Sequence, residues 1–228
     1  PNFEGEYYAP QLNRSLQEIA SSQKMKRADL EAKLLPIRQK LLAHRSKRPR
    51  PLTDTKILTG WNGLMIRGFA DAGRILNEPR YVQAAERAAD FVLQKLATEE
   101  GRLLRTYGNK EAKLNAYVVD YAFLIDGLIG IHEATKSQRW LTEADRLMQL
   151  ELKLFWDKQN GGFFFTSEDH ESLLARSKNP LDGARPSGNS VSAQNLFYLG
   201  KTLQKEEYLK YAEKTVHSVS GMLAAAPS

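Results

Sequence analysis

The chain contains no cysteine, which excludes a disulfide framework and any thiolate metal site built from it. Its four histidines stand apart at 44, 132, 170 and 217, and no two share the spacing of metal ligands; no metal site is expected. Long apolar runs are missing as well. The longest, residues 116–131, is interrupted by Asp120 and Asp126, so no membrane-spanning helix is expected. The opening PNFEGEYYAP shows neither an initiator Met nor an apolar export segment. These absences lead to the expectation of a cytoplasmic segment of a longer protein, with no cofactor called for by its sequence.

Between Lys24 and Arg50 there are ten Lys or Arg against two acids, Asp29 and Glu31, and no Phe, Tyr or Trp. That stretch carries +8, and since the whole chain carries +6 the remainder stands at about −2. Without interleaved aromatics it offers no stacking platform for single-stranded bases. A basic helical connector ending in KRPRP reads as a solvated face and a stiff linker, and nucleic acid is not an expected partner.

What is present is an ordinary globular balance, 42% apolar and 26% charged over 228 residues, and an internal repeat. Trp61-Asn62-Gly63-Leu64 falls on Asp120-Tyr121-Ala122-Phe123 at an offset of 59, and on Gly188-Asn189-Ser190-Val191 at an offset of 127. The matches run on: Gly68 meets Gly127, Gly73 meets Gly200, Tyr81 meets Trp140 and Tyr208, and Ala85 meets Ala144 and Ala212. Each copy reads as a helical hairpin. In the first, residues 61, 64, 65, 68, 72, 75 and 76 form a helical apolar stripe, Asn77-Glu78-Pro79 ends it, and a second helix carries Ala84, Ala85, Ala88, Ala89, Val92 and Leu96. The second-helix stripes of the later copies are Trp140, Ala144, Leu147, Met148 and Phe155, then Tyr208, Tyr211, Ala212, Val216, Val219 and Leu223.

One helical domain is expected over 1–228, with N-terminal helices and the basic linker in 1–50 and hairpins at 51–98, 115–156 and 187–224. GRLLRTYG (101–108) and GGFFFTS (161–167) have strand character and must lie where the first helices begin. Such an array stacks as a solenoid or closes into a double ring of helices, and its small inner-helix residues favour the ring.

Register places Trp61, Asp120 and Gly188 at the starts of three inner helices, on one rim. Helix starts present unpaired N–H groups and partial positive charge, which suits hydroxyl-rich ligands. A Trp beside Asn and Asp supplies an apolar platform and bidentate partners for a sugar ring. The candidate catalytic residues are Asp120, as base or substrate anchor, and Asp182 as its partner. Candidate substrate contacts are Asp54, Trp61, Asn62, Tyr121, His170, Ser187 and Asn189. Asp, Asn and Ser are also the preferred helix caps, so each of these has a purely structural alternative.

The motifs RPRPLTDTKILTGWNGLMI, VDYAFLIDGL, NGGFFFTSEDHE and DGARPSGNSVSA, in that order, together with NFEGEYY near the start, resemble the helical-barrel region of the YyaL / spermatogenesis-associated protein 20 family. The resemblance implies an all-α fold: an (α/α)6 barrel of the six-hairpin glycosidase type or a partial arc of one, with short β connectors. It also implies a thioredoxin-like domain as partner in the parent protein. The barrel is similar to those of N-acylglucosamine 2-epimerases and unsaturated glucuronyl hydrolases, which implies a sugar or sugar acid as ligand and glycosidase-like or epimerase-like processing. Thr55, Val119 and Phe165 stand where the family pattern tends to carry carboxylates, which favours the alternative of a non-catalytic scaffold or interaction domain. Three hairpins cannot close a six-hairpin ring, so the expectation is exposed inner-helix apolar surface and either self-association or an open arc.

Overall fold

The computed structural model describes Gly5, residues 11–170 and residues 175–220. Most of the NFEGEYY motif, Glu171 and the expected hairpin end at 221–224, with Leu223, lie outside the described residues. The chain divides into two units, Pro1–Asp54 and Thr55–Ser228.

In the first unit, α1 (Leu16–Ser22) starts from a capping box: the Ser15 hydroxyl accepts from the Glu18 N–H while the Glu18 carboxylate accepts from the Ser15 N–H. In α2 (Arg27–Arg45), which contains Pro36, Leu30 is buried. Leu35, Ile37, Leu41 and Leu42 are exposed.

The second unit carries the repeat. It consists of β1 (Ile57–Leu58), α3 (Thr59–Ile75), α4 (Pro79–Lys95), β2 (Leu104–Gly108), β3 (Glu111–Asn115), α5 (Val118–Thr135), α6 (Gln138–Phe155), α7 (Gly188–Thr202) and α8 (Glu206–His217). The second helices of the three hairpins start at 79, 138 and 206, which reproduces the offsets of 59 and 127. The turns keep the same register. Asn77, Lys136 and Gln204, each with φ between 54° and 59°, take the left-handed conformation that ends a helix and reverses the chain.

The first helices form an inner row, α3 beside α5 beside α7, and each is backed by its own second helix. Close approach explains the small residues. A side chain at Gly63 would fall 2.6 Å from the Phe123 carbonyl oxygen, so α3 and α5 touch backbone to backbone. The buried stripe of α3 is therefore Thr59, Gly60, Gly63, Ile66, Ala70 and Gly73. Most of the larger apolar residues of the expected stripe face outward instead, with Trp61, Met65, Ile75 and Leu76 exposed. Small residues win the contact because they let two helix axes approach, which a scale of hydrophobicity does not register.

The connectors lie at the starts of the inner helices, where a chain returning from a second helix to the next first helix has to pass. β1, β2 and β3 make an antiparallel sheet, with Ile57 opposite Tyr107 and Thr106 opposite Lys113. The β2–β3 loop, Asn109-Lys110, has both φ angles positive, as a two-residue hairpin requires. GGFFFTS makes a bridge, Trp156 to Phe163, rather than a strand. Its backbone groups are taken up by helix starts and side chains: Phe165 O accepts from Val118 N at 3.2 Å, and the two Phe163 groups bind Asn189.

Candidate functional site

The rim forms where the inner helices begin, and there most of the predicted site residues are engaged with backbone. Asp120 is buried. Its Oδ1 accepts from Gly60 N at 3.0 Å, and its Oδ2 accepts from Tyr117 N at 2.9 Å and from Arg105 at 3.2 Å. One carboxylate thus caps both α3 and α5. Burial raises its pKa, opposed by the Tyr117 N–H, Arg105 and the Gly60 N–H. The Tyr121 hydroxyl, on a fully buried ring, accepts from Leu103 N at 2.9 Å. Asn62 donates to Leu58 O at 2.9 Å, within its own helix start.

At α7 the pattern recurs with different chemistry. Asn189 acts as a peptide mimic: its Oδ1 accepts from Phe163 N at 2.7 Å and its Nδ2 donates to Phe163 O at 3.0 Å. Ser187 donates to Asn179 O at 2.8 Å, and Asp182 accepts from Ser187 N at 2.7 Å. His170 sits 2.6 Å from the Ser167 hydroxyl through Nδ1 and stacks on Tyr117 at 5.1 Å between ring centres. Tyr117 in turn stacks on Phe165 and lies under Arg105. Trp61 is 60% exposed. Asp54 belongs to the first unit. Asp120, Tyr117, Arg105, Phe165 and His170 therefore gather at one place. Ser187, Asn189 and Asp182 gather at the start of α7.

A second group of polar residues, absent from the sequence reading, lies halfway along the inner helices. Of residues 118–131 in α5, Asp126 alone is not buried, which marks the side of the helix left uncovered. On that side Arg67 of α3 binds Asp71 at 2.8 Å, Asp126 at 3.0 Å and Glu133 at 3.1 Å. Arg74 reaches Asp71 at 3.3 Å as well, so three carboxylates meet two guanidinium groups. Burial raises the pKa of Asp126; Arg67 opposes this, and Asp71 and Glu133 reinforce it. Arg67, Asp126 and Glu133 line a cavity of about 1020 Å³ together with Ile129, Asn195, Tyr198, Lys201 and the apolar faces of α7 and α8. Its sequence signal is the i, i+7 pair Asp126 and Glu133, one charged stripe on an otherwise apolar helix. Among the described residues no group of three or more His, Asp or Glu is placed to hold a metal ion.

Glu151 is also missing from the sequence reading. It sits on the buried stripe of α6 among Ala144, Leu147, Met148 and Phe155. The Ser192 hydroxyl of α7 donates to it, and complete burial pushes its carboxyl up to about 8. Spacing alone places it on the stripe of 144, 147, 148 and 155.

No family model matches the chain. Among curated proteins it is 40% identical to human spermatogenesis-associated protein 20 over 171 residues, 71% of this chain and 22% of that protein. It is 29% identical to the uncharacterized protein B0495.5 of Caenorhabditis elegans over 221 residues, 92% of this chain and 30% of that protein. The chain thus spans less than a third of the curated relatives it matches. Among solved structures it resembles the cellobiose 2-epimerase of Spirochaeta thermophila, with a TM-score of 0.58 at 16% identity, covering 72% of this chain and 43% of that one. It also resembles the unsaturated glucuronyl hydrolase of Bacillus sp. GL1, with a TM-score of 0.58 at 15% identity, covering 76% and 49%. Among the described residues no helix is long and apolar enough to cross a membrane. The chain is a relative of spermatogenesis-associated protein 20, which it matches over less than a third of that protein's length, and its three hairpins have the fold of part of an (α/α)6 barrel such as those of the cellobiose 2-epimerase and the glucuronyl hydrolase.

Proposed function

We propose that the uncovered side of the inner helices, at Arg67, Asp126 and Glu133, binds a neutral sugar. The observation that carries this reading is the cluster itself, in which Asp126, Glu133 and Arg67 line a cavity with apolar walls of Ile129, Phe197 and Leu209. Carboxylates that keep free lone pairs accept from vicinal hydroxyls, and the apolar walls take the ring faces. Asp126, Glu133 and Glu213 against Arg67 and Lys201 leave the lining at about −1, which favours a neutral ligand over a sugar acid. The fold shared with sugar epimerases and hydrolases supports the ligand class and not the reaction.

Acid–base chemistry in this part of the ring is assigned to Asp126 and Glu133 in place of Asp120 and Asp182. Glycoside hydrolysis needs one protonated and one ionised carboxyl. Burial raises the pKa of Asp126, the direction that the proton donor of such a pair requires. Asp120 holds two backbone N–H groups and Arg105, and releasing it to a substrate would uncap two helices.

Thermal melts with glucose, mannose, N-acetylglucosamine and glucuronate test the reading. Neutral sugars at millimolar concentration should raise the Tm and glucuronate should not, and Asp126→Asn together with Glu133→Gln should abolish the response. A response that survives both substitutions, or none to any neutral sugar, overturns it.

A further inference from the structure

Four side chains meet where the GGFFFTS connector runs on into Glu168, Asp169 and His170. Arg102, just ahead of β2, binds Asp169 through both terminal nitrogens and reaches the Ser167 hydroxyl at 2.9 Å. Ser167 is 2% exposed. Its Oγ lies 2.6 Å from Asp169 Oδ1 and 2.6 Å from His170 Nδ1. The protons of this cluster can be placed one by one. A guanidinium N–H can only donate, and an ionised carboxylate can only accept. Asp169 is ionised, because the Arg102 guanidinium holds its carboxyl well below the usual carboxylate range. A serine hydroxyl has one proton and two lone pairs. The proton goes to Asp169 and one lone pair receives Arg102, so the lone pair left for His170 can only accept. Nδ1 therefore carries a proton, and the neutral ring has its own lone pair on Nε2.

This order of bonds excludes a nucleophilic serine. Asp169 binds Ser167 and not the imidazole, the hydroxyl proton is committed to a carboxylate, and Oγ is buried. What the cluster leaves available is Nε2, which has no partner among the described residues. The ring is partly buried against Tyr117, at 5.1 Å between centres, and the Arg105 guanidinium lies 4.8 Å from the centre of the same Tyr117 ring. Arg105 gives Nη1 to Asp120, and among the described residues its other N–H groups are uncommitted. One acceptor and several donors thus surround one aromatic ring. Each arginine is already matched by an aspartate, Arg102 by Asp169 and Arg105 by Asp120, so no spare positive charge calls for an anion. A hydroxyl fits both groups, since it can donate to Nε2 and accept from Arg105.

We propose that His170 is a ligand-binding acceptor at the rim, its Nε2 taking the hydrogen bond of a ligand hydroxyl, with Ser167, Asp169 and Arg102 as the residues that position it. The site stands apart from the cavity at Arg67, Asp126 and Glu133, which none of its residues lines.

Long-range proton–nitrogen correlation spectra of the histidine-labelled chain, recorded at about pH 8.5 where an ordinary histidine is neutral, report which nitrogen carries the proton. His132 is the reference within the same chain, since its Nδ1 faces the Ser137 carbonyl at 3.0 Å and has to donate. Exposed His44 and His217 give the unconstrained pattern. His170 should match His132. Asp169→Ala removes the acceptor of the Ser167 proton, which then turns to Nδ1, so the proton of the ring should move to Nε2 while the circular dichroism stays unchanged. Ser167→Ala should bring the ring to the pattern of His44. Methyl glucoside at millimolar concentration should move the Nε2 resonance of His170 and not that of His132. A wild-type ring protonated on Nε2, or an Asp169→Ala ring still protonated on Nδ1, overturns the positioning. An Nε2 resonance indifferent to methyl glucoside overturns the ligand. The response should persist when Asp126→Asn and Glu133→Gln are combined, so failure here and failure of the cavity reading are separable.

Discussion

The rim of the inner helices and their middle use polar groups in opposite ways. At the rim, Asp120, Tyr121, Ser187 and Asn189 are nearly or wholly buried, and each is hydrogen-bonded to backbone that would otherwise be unpaired. In the middle, Arg67, Asp71, Asp126 and Glu133 are held mainly by one another and remain about a quarter exposed. A polar residue in a cleft is thus no sign of a site until its partners are counted. Those bound to main chain maintain the fold, and those bound only to each other can exchange a partner for a ligand.

Substitutions at the two places should separate these roles. The largest loss is expected from Asp120→Ala, which strands two N–H groups and the Arg105 guanidinium; about 3 to 5 kcal/mol should be missing in a urea titration. Asn189→Ala comes next, at about 2 to 4 kcal/mol, because both Phe163 groups lose their partner. A fall in sugar response without loss of stability at either position would move the site back to the rim. Asp126→Asn, by contrast, should change stability by less than about 1 kcal/mol, since partly exposed ion pairs contribute little.

Glu151 gives an intermediate effect with a definite pH dependence. Its carboxyl ionises near 4.5 in the unfolded chain and near 8 when folded. Between these values the native state holds the extra proton, so its contribution to stability is full below about pH 4.5 and is lost as pH rises towards 8. Glu151→Gln should flatten Tm against pH across that window and stabilise the protein by about 1 to 2 kcal/mol at pH 8. An unchanged slope would place the titrating group elsewhere. The smallest effect is expected from Trp61→Ala. At 60% exposure the indole should contribute less than about 1 kcal/mol to unfolding, and a larger loss in a urea titration would mean that it is packed rather than exposed.

Much of the architecture was legible because repeats turn weak signals into register. Tyr81, Trp140 and Tyr208 mark three outer helices that no single hydrophobic pattern would align with confidence. The face of α3 was misread for a physical reason. Its bulky stripe and its small stripe both have helical spacing, and which one is buried depends on how closely a neighbour approaches, a tertiary property. GGFFFTS looked like a strand because it is a run of aromatics introduced by glycine, but beyond one bridge to Trp156 its hydrogen bonds are shared among Asn189, Phe155, Ser177 and the start of α5. At the rim, sequence located the polar residues correctly in register. It could not show that their hydrogen bonds were already used, since a cap and a ligand contact call for the same side chains.

The position of α5 between two inner neighbours has a consequence for the order in which the molecule opens. In a row of helices where each contacts its neighbours, opening is easiest at the ends and hardest in the centre. Amide hydrogens of residues 122–131 should therefore exchange last, after those of α3 and α7. Asp126 projects from this slowest segment and Glu133 stands two residues beyond it, so the floor of the cavity is carried by the part of the chain with the least freedom to lose.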